Sequence, residues 1–229
     1  MPEPNLKVNE IYLSVQGESS HAGLPCVFIR LTACDLRCSY CDTPYAFFEG
    51  ESMPLDAIIA RVESFGCKLV ELTGGEPLLQ KSALPLMAQL CDRGYSVLLE
   101  TSGAHDIAPV DPRVIRIMDL KTPGSGESDR NRIENIDLLR PQDEIKFVIG
   151  SREDYEWACG MIARHALDRK VKTILFSPVF RHAGMPGQTA GHPGIEPKSI
   201  VDWMLKDHVP ARFQLQLHKF IWPPNQRGV

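Results

Sequence analysis

Apolar and polar positions alternate along this chain with two periods. Seven short runs rich in branched apolar residues, VFIRLTA, KLVELT, YSVLLE, VIRIMDL, EIKFVIG, KTILFS and RFQLQL, recur from about residue 27 to the end. They read as strands, and their nearly continuous apolar character suits strands covered on both faces. Between them, LDAIIARVESF, LMAQLCDRG, REDYEWACGMIARHAL and KSIVDWMLKDHV read as amphipathic helices. Ser151, three residues ahead of Asp154, has the form of a capping box, and Ser82 with Gly94 brackets another helix. The alternation predicts an α/β fold: a partial (βα)6-type barrel with a mostly parallel, curled sheet. Ligands in such folds gather beyond the carboxyl ends of the strands, so chemistry is expected just after each run.

Two segments stand outside the alternation. The opening LKVNEIYLSVQGESSHAG belongs to an N-terminal extension over residues 1–26, and residues 182–197 form a Gly/Pro-rich loop, either a solvated connection or a lid. A length of 229 residues with 43% hydrophobic side chains fits one domain over 1–229 with a sizeable core.

The net charge of −4 offers no basic field for nucleic acid and favours a small-molecule partner. The start MPEPNLKVNEIYLS has neither a basic nor an apolar stretch, and no apolar run is long enough to cross a bilayer, so no membrane partner and a cytoplasmic location are expected. Seven cysteines in such a chain fit a metal site plus buried thiols better than a disulfide framework.

Three of those thiols, Cys34, Cys38 and Cys41, fall within CDLRCSYC, directly after a strand. Packing alone seldom crowds thiols in this way. A zinc site would need a fourth ligand such as Cys26, Cys67, His21 or His105. A four-iron cluster held by three thiolates would leave one iron open. A second motif, Thr73-Gly74-Gly75-Glu76-Pro77, ends another strand, where paired glycines let a ligand approach the backbone. Glu100-Thr101-Ser102-Gly103 and Asp119-Leu120-Lys121-Thr122-Pro123 end two more. Arg30 lies inside an apolar strand, where its guanidinium needs an internal carboxylate or a bound one.

CDLRCSYC followed by TGGEP resembles the CxxxCxxC and GGE motifs of the radical S-adenosylmethionine (radical SAM) superfamily. With SVQGES, LETSG, DLKTPGSG and QLHKF, the chain is similar to the 7-carboxy-7-deazaguanine synthases over nearly its whole length. That resemblance implies a [4Fe-4S] cluster on Cys34, Cys38 and Cys41, with S-adenosyl-L-methionine on the open iron. Reduction would release a 5′-deoxyadenosyl radical that is later returned to the cofactor. It also implies radical ring contraction of 6-carboxy-5,6,7,8-tetrahydropterin to 7-carboxy-7-deazaguanine with loss of ammonia, in the biosynthesis of queuosine precursors.

By the same resemblance Val15, Gln16, Gly17, Arg30 and Thr73 contact the pterin. Tyr40, Cys41, Asp42, Gly75 and the segment Asp119, Leu120, Lys121 contact the cofactor, and Thr43 holds Mg2+. Ser102 is a candidate for the cofactor ribose, its alternative being a capped turn. Glu18 is placed with Arg30 as a catalytic candidate, accepting hydrogen bonds from the 2-amino edge of the pterin. The implied partners are a reducing electron donor such as flavodoxin or ferredoxin and a second copy in a homodimer. The alternatives are an activase that installs a glycyl radical on another protein, or a non-catalytic iron–sulfur or zinc module.

Overall fold

All seven apolar runs form strands, joined by two that their pattern did not announce. The computed structural model describes residues 4–181 and 192–229. Its strands are β1 (Asn5–Val15), β2 (Pro25–Leu31), β3 (Glu51–Pro54), β4 (Leu69–Gly74), β5 (Ser96–Thr101), β6 (Ile115–Asp119), β7 (Glu144–Ile149), β8 (Thr173–Pro178) and β9 (Arg212–Phe213). They make one sheet in the order β3-β1-β2-β4-β5-β6-β7-β8-β9. From β2 to β9 every neighbour is parallel, while β1 pairs antiparallel with both β2 and β3.

The opening segment is therefore a long strand of the sheet. A bulge between Val8 and Glu10 resets its register and sets Glu10 opposite Arg30. The sheet is open, since β3 and β9 are its two edges. It is also curled, because Arg30 on β2 and Gln216 beyond β9 line the same cavity.

Helices α1 (Leu55–Glu63), α2 (Ala83–Asp92), α3 (Arg152–His165), α4 (Leu167–Lys170), α5 (Pro197–Asp207) and α6 (His218–Ile221) cover the outer face or end the chain. In α2 the buried positions Ala83, Leu86, Met87 and Leu90 recur at the helical period, and Gly94, at a φ of 74°, turns the chain away after it. Ser151 caps α3 by accepting the Asp154 N–H. The Asp154 carboxylate does not complete the box; it accepts the N–H groups of Gly124 and Gly150 instead, at 2.7 and 2.9 Å.

The connections after β5 and β6 contain no α-helix, in keeping with the four helical stretches read from the sequence. Pro109 and Pro112 interrupt the first connection, and the second is a string of short 3-10 turns over residues 123–138. Among the described residues no helix is long and apolar enough to cross a membrane. Residues 182–191 of the 182–197 loop lie outside the described residues.

The period of two along the parallel strands explains where chemistry can sit. One side of each strand, including Ile29, Leu72, Leu99, Met118, Phe147 and Phe176, packs against the helices in a single apolar core. The other side carries Arg30, Thr73, Glu100, Asp119, Lys146 and Ser177 into the concave face, where they line a common cavity. These strands are covered on both faces, but the inner cover is polar.

Candidate active site

The cysteine loop follows β2 and is tied down on all sides. Its N–H and carbonyl groups bond to Ala46, Ser125 and Glu76, and Cys41 N–H donates to the Cys38 carbonyl at 3.1 Å. Cys38 is buried, Cys34 and Cys41 half-buried, and Leu36, Tyr40 and Val179 pack around them. All three thiols line the cavity. Burial pushes Cys34 up to about 11 and Cys41 up to about 12, and raises Cys38, so metal must displace their protons on binding.

Among the described residues no three His, Cys, Asp or Glu side chains converge tightly enough for one metal ion. The trio instead stands around a cavity wall, as a cluster requires when each thiolate binds a different iron. None of the proposed fourth zinc ligands lines that cavity. Cys26 begins β2 and Cys67 bonds to the Pro25 carbonyl, so both lie at the far end of the strands, about 20 Å away along a seven-residue strand. His21 lies by Glu144, and His105 pairs with Asp35.

The glycine pair after β4 locks this loop in place. Gly74 has a φ of 138°, open to glycine alone. A Cβ on Gly75 would stand 2.0 Å from the Ala33 carbonyl oxygen and 2.9 Å from Cys34 Cβ. Gly75 N–H donates to Leu31, and Glu76 N–H to Ala33 at 2.8 Å. The Glu76 carboxylate is fully buried and accepts from Leu78 N–H, the Thr101 hydroxyl and both the N–H and hydroxyl of Ser102. It clamps the ends of β4 and β5 together. Ser102 thus has the capped-turn role that the sequence left open, while still lining the cavity.

Asp119 and Lys121 form an ion pair at 2.8 Å beside the cysteines. The other carboxylate oxygen of Asp119 is buried without a hydrogen-bond partner among the described residues. Burial works against the Lys121 ammonium, but the Asp119 carboxylate outweighs it and keeps the lysine charged. Leu120 is fully buried in the outer core, so only its backbone can face a ligand. Tyr40 lines the cavity, and its hydroxyl is 3.5 Å from that of Thr122. The cavity holds about 1060 Å³ of atom-free space, its open mouth included.

A second cavity adjoins the first and shares Arg30, Asp42, Thr43, Thr73, Glu100 and Lys219 with it. Val15, Gln16 and Gly17, at the end of β1, form one wall. Arg30 has the internal carboxylate partner that its place in an apolar strand called for. Its Nε donates to Glu10 at 2.7 Å and one terminal nitrogen to Tyr12 at 2.9 Å, while Nη1 keeps its donors without a partner among the described residues. Gln16 is buried: its side chain donates to Glu71 and accepts from Glu18 N–H, and its backbone pairs with Gly23 and Leu24.

Thr73 donates to Glu100 at 3.1 Å, and Thr43 caps a 3-10 turn with its side chain unused for capping. Burial opposes ionisation of Asp42, but the Lys219 ammonium at 2.6 Å prevails and holds it well below the usual carboxylate range. Glu18 stands behind both cavities, not on their walls. It is held by Lys146 at 3.2 Å and Gln216 at 2.9 Å.

The sequence reading passed over Lys146 and Glu71, and named Glu76 and Glu100 only within their motifs. Lys146, 5% exposed, is the hub: it pairs with Glu100 and Glu18 and lies 4.0 Å from Asp119. Burial works against its charge, and those three carboxylates restore it. The signal was present, since Lys146 and Glu71 are each a charge inside an apolar run, the feature that singled out Arg30.

These residues can also be tested against the groups that the motifs imply. Three thiols around one cavity, a glycine wall where no Cβ fits, and an Asp119 oxygen and Arg30 donors without partners among the described residues suit a cluster, an amino-acid cofactor and an anionic substrate. A threonine hydroxyl beside an anion site suits Mg2+, which keeps most of its water.

A family model described as the radical SAM superfamily matches residues 28–192. The 7-carboxy-7-deazaguanine synthase of Koribacter versatilis is 48% identical over 98% of this chain and 100% of its own length. The 7-carboxy-7-deazaguanine synthase of Chlorobaculum tepidum is 46% identical over 99% of each. The crystal structure of QueE from Escherichia coli shares the fold, with a TM-score of 0.67 at 21% identity over 92% of this chain and 93% of that one.

Proposed function

Because the chain belongs to the radical SAM superfamily and, within it, to the 7-carboxy-7-deazaguanine synthases, we propose a division of labour among its residues for that reaction. The protein is a radical SAM lyase that converts 6-carboxy-5,6,7,8-tetrahydropterin to 7-carboxy-7-deazaguanine with release of ammonia. The activase and the non-catalytic metal module are set aside by similarity to synthases along the full chain. The observation that carries the residue assignment is the juxtaposition of two cavities, one walled by Cys34, Cys38 and Cys41, the other by Arg30 and the end of β1.

Cys34, Cys38 and Cys41 would hold the [4Fe-4S] cluster, and Tyr40, Asp42, Gly75, Ser102, Asp119 and Lys121 would surround S-adenosylmethionine, with Leu120 contributing backbone. When bound, this pair supplies a radical able to take a hydrogen atom from the substrate. Lys121 would meet the cofactor carboxylate, and the Asp119 oxygen without a partner among the described residues would accept a hydrogen bond from the cofactor. Arg30, immobilised by Glu10 and Tyr12, grips the substrate carboxylate through Nη1, which fixes the neighbouring C–H as the target. Thr43 would hold Mg2+, which would supply a positive charge for the anionic substrate.

Val15, Gln16 and Gly17 wall the pterin through backbone and shape, and residues 1–26 serve the substrate in this way. Glu18 sets the charge of Lys146 from behind the wall, and Thr73 positions Glu100. Exclusion of water by the curled sheet protects the radical. The protein is taken as one radical SAM domain. All seven cysteines are free, which fits a reducing, cytoplasmic compartment. Flavodoxin or ferredoxin as electron donor and a homodimer follow from the family resemblance, and size-exclusion chromatography tests the latter.

The decisive experiment reconstitutes the protein anaerobically with iron and sulfide, then adds S-adenosylmethionine and 6-carboxytetrahydropterin. A shifted paramagnetic spectrum of the reduced cluster, with ammonia and 7-carboxy-7-deazaguanine formed in equal amounts, is expected. An unchanged spectrum without product would overturn the reading.

A further inference from the structure

Glu71 on β4 points into the second cavity from a buried position, 3% exposed. One of its oxygens, Oε2, accepts a hydrogen bond from the Gln16 amide, which fixes the carboxyl; Oε1 has no partner among the described residues. The nearby cations are committed elsewhere: Lys146 to Glu18 and Glu100, Arg30 to Glu10, and Lys219 to Asp42. The groups facing Glu71 come from every element around it. They are Glu18 and Gln16 beyond β1, Tyr12 on β1, Cys26 and Arg30 on β2, Glu100 on β5, Lys146 on β7, and His218 near the chain end.

A third carboxylate beside Glu18 and Glu100, with one lysine already shared between them, is not compensated. Burial and those two carboxylates hold the Glu71 carboxyl well above the ordinary carboxylate range, against the pull of Lys146. We propose that Glu71 is a specificity-determining residue of the substrate cavity: it stays a neutral carboxylic acid and meets the pterin with one O–H donor and one C=O acceptor.

This inference rests on the pterin reading above and deepens it. Around a tetrahydropterin, the N3–H/O4, O4/N5–H, N8–H/N1 and N1/2-amino edges each set a donor beside an acceptor. Only the N3–H/2-amino edge sets two donors together. An ionised carboxylate, with acceptors alone, matches that single edge, while a carboxylic acid matches the other four. The protonation of Glu71 thus selects which edge turns toward β4, and with it the orientation in which Arg30 holds the substrate carboxylate.

The test compares wild-type holoenzyme with E71Q, which keeps a donor and an acceptor, and E71M, which keeps only the bulk. Infrared difference spectra of wild type against E71Q at neutral pH are expected to show loss of a protonated-carboxyl carbonyl band, and that band shifts in wild type when 6-carboxytetrahydropterin is added. In turnover, E71Q keeps KM within about threefold, and E71M raises it roughly 10- to 100-fold with a smaller change in kcat. Loss of a carboxylate band, a band that does not move with substrate, or E71Q as impaired in KM as E71M overturns the proposal. The infrared arm needs only wild type and E71Q, so it decides even if E71M does not fold. Wild type that fails to turn over the pterin sinks the substrate reading itself, and this inference with it.

Discussion

Replacing Gly75 by alanine adds one carbon at the point where the GG turn touches the cysteine loop. The new Cβ would stand 2.0 Å from the Ala33 oxygen, 2.5 Å from the Ala33 carbonyl carbon and 2.9 Å from Cys34 Cβ. Contacts below 3.0 Å are essentially never tolerated, so the two segments must part by about 1 Å, and both sides are backbone. That movement breaks or lengthens the Gly75–Leu31 and Glu76–Ala33 hydrogen bonds.

Each such bond contributes about 0.5–1.5 kcal/mol and overpacking costs about 1–3 kcal/mol, giving roughly 2–6 kcal/mol of destabilisation in total. Because Cys34 follows Ala33 directly, the same shift displaces the first thiol. Urea unfolding of the apo-protein measures the stability loss, and iron and sulfide per chain after anaerobic reconstitution measures the thiol placement. A Gly75→Ala protein with its urea midpoint unchanged and a full cluster content refutes the reasoning.

Three other outcomes follow from the same geometry. Substituting Cys34, Cys38 or Cys41 singly by alanine abolishes cluster assembly, read as iron per chain, whereas C91S and C159S, on helices outside the cavity, leave it unchanged. Lys146→Met removes the one ammonium that Glu18 and Glu100 share and costs about 1.5–3 kcal/mol in urea unfolding, with loss of activity, because two half-buried carboxylates lose their charged partner. Glu71→Gln changes the pH dependence of stability. A carboxyl whose pKa is raised on folding contributes stability below the unfolded glutamate pKa and loses it as pH rises toward the folded one. The melting temperature of wild type relative to E71Q should therefore fall as pH rises above the ordinary glutamate range, and parallel profiles would contradict a raised Glu71.

The sequence by itself determined the elements and the cysteine motif, because both are local. A period of two or 3.6 in apolar residues is written within a few positions, and three thiols on one short loop are neighbours whatever the fold does. It also placed Arg30, through the cost of a charge in an apolar strand. The two antiparallel strands were missed because LKVNEIYLSV shows only a partial alternation: its Leu6 and Val8 are buried, but its later positions are half-exposed against β2 and the second cavity.

Only the tertiary structure decided which charges meet. Curling brings β2, β4, β5, β6 and β7 around one space, so Arg30, Glu71, Glu100, Asp119 and Lys146, dispersed over more than a hundred positions of sequence, become neighbours. It also decided that Glu76 clamps two strand ends, that Ser102 is bound by it, and that Glu18 backs the cavity wall. Partner choice among buried charges depends on distances of a few ångströms across strands, and no one-dimensional pattern carries those distances.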